Sequence, residues 1–241
     1  FTTPYLLRTI ELGADIVINS LTKWLGGHGA AIGGSITDAG RFNWAAGKHS
    51  LFTEPDENYH GLRWALDLPE ALAPMAFALR TRTVPLRNLG ACIAPDNSWL
   101  LLQGIETLPV RMERHCSNAL TVAQFLLQHP AVAWVRYPGL PNDPTYATAS
   151  QYLTHGFGGM VVFGVKGGYN AAVKIIDTID LFSHLANVGD AKSLILHPAS
   201  TSHSQLTQEQ RIASGLSDDL IRLSIGPVSY THLRAHETRM V

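Results

Sequence analysis

Lys23 stands just beyond an apolar β-branched run, Ile16-Val17-Ile18, with hydroxyls at Ser20 and Thr22 and a glycine cluster, Gly26-Gly27-His28-Gly29, immediately after it. An amine beside neutral hydrogen-bond donors suits Schiff-base chemistry with an aldehyde whose phosphate the hydroxyls grip without adding competing cations. The same residues admit a plainer reading, in which Ser20 and Thr22 end a strand and Lys23 is a solvated surface side chain. A nucleotide P-loop is excluded by order, because that motif needs G-x-x-x-x-G-K-[ST] and here the lysine precedes the glycines. Arg222 lies inside another apolar run, residues 220–225. Its planar fork could take a carboxylate bidentately, or it could be a charge at a sheet edge. His197 and His203 are six residues apart with no cysteine or carboxylate cluster beside them, so they read as structural histidines rather than metal ligands.

Residues 4–12 read as a short helix stopped by Gly13, residues 16–18 as a buried strand, and residues 32–36 as a second strand with close-packed backbone. Lys23 therefore falls between two strands. Residues 41–75 show no clean period and read as an irregular excursion. From Asn97 the spacing turns helical, and Met112, Cys116, Ala119, Leu120, Ala123, Leu126 and Leu127 recur at intervals of three and four. Strands are expected at 133–137, 160–165, 181–186 and 220–225, and helices at 169–179 and 208–214. Thr207 and Gln210 fit a capping box for the second of these helices. Alternating strands and helices argue for an α/β architecture.

A chain of 241 residues with 46% hydrophobic content holds enough apolar material for one large or two moderate cores. The formal charge of −1, without a long Lys/Arg run, gives no electrostatic reason to expect nucleic acid or an anionic membrane as partner. Small molecules and other proteins are the expected partners. Cys92 and Cys116 are the only cysteines and lie outside any CxxC spacing, so neither a disulfide framework nor a zinc cage is implied, and a cytoplasmic setting fits.

The run of residues 14–29, with Ser20-Leu21-Thr22-Lys23-Trp24 at its centre, closely resembles the lysine signature of the pyridoxal-phosphate-dependent enzymes of Cys/Met metabolism. The resemblance continues through residues 100–115, through Gly189-Asp190-Ala191-Lys192-Ser193-Leu194, through His197-Pro198-Ala199-Ser200 and through residues 220–226. It implies an aspartate-aminotransferase-like fold of type I, with an incomplete large domain and a smaller C-terminal α/β domain. It implies pyridoxal 5'-phosphate as cofactor, with Lys23 as the catalytic Schiff-base lysine and Ser20 and Thr22 on the cofactor phosphate. Arg222 is implied on the substrate α-carboxylate, with Ser193 near the lysine and that carboxylate. A homo-oligomer, a dimer of dimers, is implied as well.

Within that family the run Gly26-Gly27-His28-Gly29-Ala30-Ala31-Ile32-Gly33-Gly34, the long excursion, and Gly189 to Ser193 resemble the O-acetylhomoserine sulfhydrylase branch. The implied reaction is γ-replacement on O-acetylhomoserine by sulfide, giving homocysteine and acetate. Two rival expectations remain open: a methionine or cystathionine γ-lyase on the same fold, and a truncated fragment without activity. The resemblance divides the chain into the C-terminal part of the cofactor-binding domain (1–95), a connecting helical segment (96–130), a small domain (131–226) and a tail (227–241) that departs from the family and is read as non-native. It also places the aspartate that pairs with the pyridine nitrogen, a ring-stacking aromatic and a first phosphate loop upstream of Phe1.

Overall fold

The computed structural model describes residues 2–227, and the tail beyond Pro227 lies outside them. Within that range, residues 2–7, 20–32 and 99–227 form one compact unit, and residues 8–19 and 33–98 a second.

In the first unit a five-stranded sheet runs in the order β3-β4-β7-β6-β5. Its strands are β3 (Val132–Arg136), β4 (Met160–Val165), β5 (Ser183–His184), β6 (Leu194–Leu196) and β7 (Leu220–Ser224). β3 and β4, β4 and β7, and β6 and β7 are antiparallel, and only β5 and β6 run parallel. β7 is central, so Arg222 is flanked by Val162 on β4 and Leu196 on β6. That placement removes the sheet-edge reading of the arginine.

Two helices carry this sheet's core, α5 (Leu108–Gln128) and α7 (Gly168–Thr178). α5 buries Met112, Cys116, Ala119, Ala123 and Leu126, the three- and four-residue spacing visible in the sequence. Ala119 and Ala123 are fully buried, and their small side chains let the helix approach Val161, Ile221 and Ile225 within one cluster. A second cluster joins Leu6, Trp24, Leu25, Leu108, Met112, Cys116 and Val188. The chain around Lys23 is thus part of a packed core. α4 (Pro95–Glu106) precedes α5, and α6 (Tyr146–Tyr152) and α8 (Gln208–Ala213) complete the helices of this part. The capping box of α8 forms as expected: Thr207 Oγ1 accepts from Gln210 N at 3.2 Å and Thr207 N donates to Gln210 Oε1 at 2.9 Å.

The second unit is built from β1 (Ile16–Ser20, except its last residue), β2 (Gly34–Asp38) and three short helices, α1 (Ser50–Thr53), α2 (Ala76–Thr81) and α3 (Arg87–Leu89). Its core is aromatic. Trp44 stacks on Phe52 at 4.3 Å and on Phe77 at 5.3 Å, and Trp64 is buried with its Nε1 donating to Asp56 Oδ2 at 2.9 Å.

Four sequence expectations are corrected. The strands expected at 16–18 and 32–36 form, but Ile18 is exposed rather than buried, and the second strand starts two residues later, as β2, with Gly34 exposed rather than close-packed. Residues 4–12 form successive turns rather than a helix, since a stretch this short does not recover the cost of nucleation, and Leu12 remains exposed. The strand expected over 181–186 shrinks to Ser183–His184, while Leu194–Leu196, of which only Leu194 falls in a recognised motif, supplies β6. The excursion is less irregular than expected, with α1 and two 3-10 turns at Glu57–Tyr59 and Ala73–Met75 inside it.

Candidate active site

β1 ends at Ser20, and the chain then closes one tight turn, Leu21–Leu25, in which Gly26 N donates to Leu21 O and Gly27 N to Lys23 O. Lys23 itself departs from helical geometry, with φ −95° and ψ −136°. Trp24 and Leu25 are buried while Lys23 is half-buried, so the turn is anchored by its apolar residues and its amine is left at the boundary with solvent. Gly189 lets a second segment approach: with φ +76°, a side chain there would run into Trp24 N and the carbonyl carbon of Lys23.

That second segment supplies the lysine's partner. Lys23 Nζ donates to Asn187 Oδ1 at 2.5 Å, across 164 residues of sequence. The backbone oxygen of Asn187 accepts from Arg222 Nη2 at 3.3 Å. One asparagine therefore bonds both cations. Burial lowers the pKa of the Arg222 guanidinium below its ordinary value. Among the described residues neither Lys23 nor Arg222 forms an ion pair with a carboxylate. A lysine and an arginine on one asparagine, without a carboxylate partner among the described residues, make a place suited to anions.

Ser20 is exposed, and Thr22 is half-buried at the rim of a cavity of about 290 Å³ that His28, Trp99, Leu100, Leu101 and Gln103 also line. Lys23 does not line this cavity. His28 turns back on its own loop, its Nδ1 donating to Gly26 O at 2.7 Å. Ser193 is buried, and its Oγ accepts from Gly226 N at 2.9 Å; among the described residues it makes no hydrogen bond to Lys23 or Arg222. Ser224, two residues after Arg222, accepts from Gly189 N at 2.9 Å, which fixes the Gly189 loop to β7. Both ring nitrogens of the fully buried His197 are occupied, Nδ1 by Ser200 Oγ and Nε2 by Asp218 O, each at 2.9 Å. His203 bonds Ser202. These contacts give the buried His197 structural employment, whereas His203 makes a surface contact with its neighbour.

Asn187 was not among the residues singled out from the sequence. The available signal was weak: a polar residue between the apolar Ala186 and Val188, two positions before the glycine of a recognised motif.

The first unit carries a lysine turn directly after a strand end and an arginine on the central strand of its five-stranded sheet, and comparison with known sequences and structures says to which class of proteins such a pair belongs. A sequence model of the Cys/Met metabolism PLP-dependent enzymes matches residues 1–234, and the chain belongs to that family. It is similar to an O-acetyl-L-homoserine sulfhydrylase of Leptospira meyeri, 54% identical over 93% of this chain and 52% of that protein. An O-acetyl-L-homoserine sulfhydrylase of Thermus thermophilus is 48% identical over 96% of this chain and 54% of that protein, and a homocysteine synthase of Schizosaccharomyces pombe 46% identical over 92% and 51%. The chain thus spans about half the length of the curated relatives it matches. A crystal structure from Campylobacter jejuni, described as an O-acetylhomoserine (thiol)-lyase containing N'-pyridoxyl-lysine-5'-monophosphate, superposes with a TM-score of 0.90 at 40% identity, covering 99% of this chain and 56% of that one. The α/β, fold-type-I class implied by the sequence holds.

Proposed function

We propose that this chain is the lysine-bearing part of a pyridoxal-phosphate-dependent O-acetylhomoserine sulfhydrylase, which exchanges the γ-acetoxy group of O-acetylhomoserine for sulfide and yields homocysteine and acetate. The observation that carries the proposal is the pair of bonds at Asn187, which bring Lys23 and Arg222 to one residue. The residues fit the cofactor: an amine held by a neutral amide rather than a carboxylate, two hydroxyls at Ser20 and Thr22 close by in the chain, and a guanidinium with no carboxylate partner among the described residues. The relatives' names support the substrate and product.

Pyridoxal phosphate supplies an aldehyde that takes up an amine and a ring that draws electron density away from Cα. Lys23 holds the cofactor, gives way to the substrate amine, and in its freed state takes the Cα proton. Asn187 Oδ1 orients that amine. Arg222 clamps the substrate α-carboxylate and so aims Cα toward the lysine. Ser20 and Thr22 grip the phosphate with neutral donors, and Ser193 serves the carboxylate end of the site. By the family resemblance the protein works as a homo-oligomer, a dimer of dimers, and the domain division at residues 95, 130 and 226 belongs to this reading; the cytoplasm is its proposed setting. Cys92 and Cys116 are free thiols, which fits a reducing compartment, and no helix among the described residues is long and apolar enough to cross a membrane.

The test uses the full-length protein. Borohydride reduction followed by peptide mapping should place the fixed cofactor on Lys23, and O-acetylhomoserine with sulfide should give homocysteine faster than 2-oxobutanoate. A label on another lysine overturns the site, and predominant oxo-acid formation overturns the reaction in favour of a γ-lyase.

A further inference from the structure

Three residues of α5, Arg111, His115 and Asn118, are buried polar side chains at i, i+4 and i+7, which places them on one face of the helix. A core helix carrying three buried polar groups is costly, and here each bonds main chain belonging to the site segments, while His115 Nε2 has no hydrogen-bond partner among the described residues. Arg111 Nη1 donates to Trp24 O at 2.8 Å and Nη2 to Leu25 O at 3.2 Å, the two carbonyls that follow Lys23. Nη2 also donates to Gly104 O at 2.6 Å near the end of α4, and Nε to Thr107 Oγ1 at 3.1 Å. No carboxylate pairs with Arg111 among the described residues. The guanidinium instead caps carbonyls at the C-terminal ends of two helical segments, the Leu21–Leu25 turn and α4, where partial negative charge accumulates.

The glycines follow from this. A side chain at Gly27, φ +71°, would occupy the space of the Arg111 guanidinium, and one at Gly104 would run into the backbone of Gly26. Further along the same face, His115 Nδ1 donates to Ile225 O and Asn118 Nδ2 to Gly226 O at 2.9 Å. These carbonyls lie three and four residues past Arg222. One rigid helix thus bonds the chain just after the lysine and the chain just after the arginine.

We propose that this face of α5 is the positioning frame of the site, with Arg111 setting the Lys23 turn and Asn118, helped by His115, setting the strand that carries Arg222. None of the three touches substrate or cofactor; they act through the two residues that do. The inference rests on the roles proposed above for Lys23 and Arg222. A misplacement of about 1 Å at a reacting group can cost about a hundredfold in rate, so the effects are large for residues outside the chemistry.

The experiment compares Arg111→Gln, Arg111→Lys and Asn118→Ala in the full-length holoenzyme with wild type. Four quantities are read: kcat, KM for O-acetylhomoserine, the rate at which borohydride-fixed cofactor accumulates on Lys23 after apoprotein is mixed with pyridoxal phosphate, and hydrogen exchange of the amides of residues 24–27. Arg111→Gln should lower kcat about a hundredfold with KM within about twofold, slow the accumulation of label, and speed exchange at 24–27 while the amides of β4 keep their protection. Arg111→Lys, which keeps the charge but reaches one carbonyl, should fall between. Asn118→Ala should show the opposite split, KM up about tenfold with labelling unchanged. If both sites instead lower thermal stability and kcat in parallel, with no split and wild-type labelling, the face is ordinary scaffolding and the proposal is overturned. Should Arg111→Gln fail to fold, wild-type labelling and kinetics in Arg111→Lys overturn it as well. Labelling and exchange do not depend on the homoserine ester or sulfur donor. Slow labelling in a protein that makes no homocysteine therefore refutes the proposed reaction and leaves the frame standing.

Discussion

The two compact units hold their order by different means. The first is governed by a register: five strands paired residue by residue, with small alanines of α5 pressed on them, and buried polar side chains bonding main-chain carbonyls. The second has a two-stranded ladder and helices of three to six residues, and its order comes from individual side chains. Trp44, Phe52 and Phe77 stack, and Asp56 accepts from Trp64 Nε1 and from Asn58 N at 3.1 Å while its own amide bonds Leu62 O. A sheet spreads its stability over many equivalent bonds, whereas an aromatic cluster concentrates it in a few large contacts. The cations of the candidate site sit in the unit whose backbone is held more redundantly.

The sharpest way to break that comparison is to remove chemistry from the first unit without touching its order. Lys23→Ala deletes a half-buried amine that, among the described residues, bonds Asn187. It should cost at least about a thousandfold in homocysteine formation and abolish borohydride-fixed cofactor, while the melting temperature of the apoprotein stays near that of wild type. A matching drop in apoprotein stability would show that the turn depends on the amine.

Trp64→Ala should do the reverse. Trp64 is 3% exposed and bonds Asp56, so its loss should destabilise the second unit by about 3–5 kcal/mol, read as faster exchange across residues 50–80 before the sheet amides respond. Uniform loss of protection in both units would mean that they unfold as one.

Acid should distinguish them next. Burial lowers His115 to about 4, against an ordinary value of 6.5, so the folded state resists a proton that the unfolded state accepts. Stability contributed by the neutral ring is complete above pH 6.5 and is lost as pH falls from there toward about 4, by about 3 kcal/mol in all. His115→Gln should flatten that decline in urea titrations between pH 7 and 4. A persistent slope would place the sensitive group elsewhere.

Arg222→Lys replaces a fork with a point charge and should raise KM for O-acetylhomoserine by about 10- to 150-fold, the equivalent of a charged hydrogen bond, with cofactor still bound. An unchanged KM removes Arg222 from the carboxylate role. The smallest effect belongs to Asp56. The Trp64 bond is the chief influence holding its carboxyl below the ordinary carboxylate value, followed on that side by bonds from Asn58. Its contribution is present above the unfolded value of about 3.9 and is lost as pH falls through the lower folded one. Asp56→Asn should make exchange in residues 50–65 less dependent on pH below about 4 and leave the first unit unchanged.

Much of the fold was legible because its signals are local. The β-branched run at Ile16 to Ile18, the period of α5 and the Thr207–Gln210 box are each properties of a few neighbouring residues, and all three appear as strand, helix and cap. The strand at 181–186 and the helix at 4–12 were misread because short apolar runs take their form from what packs against them.

By itself the sequence determined the α/β class, the family, and the placing of Lys23 in a turn between two strands, since glycines, hydroxyls and apolar periodicity act over distances of a few residues. Only the tertiary structure decided that Asn187 bonds the lysine, that Arg222 occupies a central strand, and that Arg111 bonds the carbonyls after Lys23. These are pairings between segments 35, 86, 87 and 164 residues apart. No propensity or spacing encodes such a pairing, because its partner is chosen by how the sheet registers and how closely the glycines let two backbones approach.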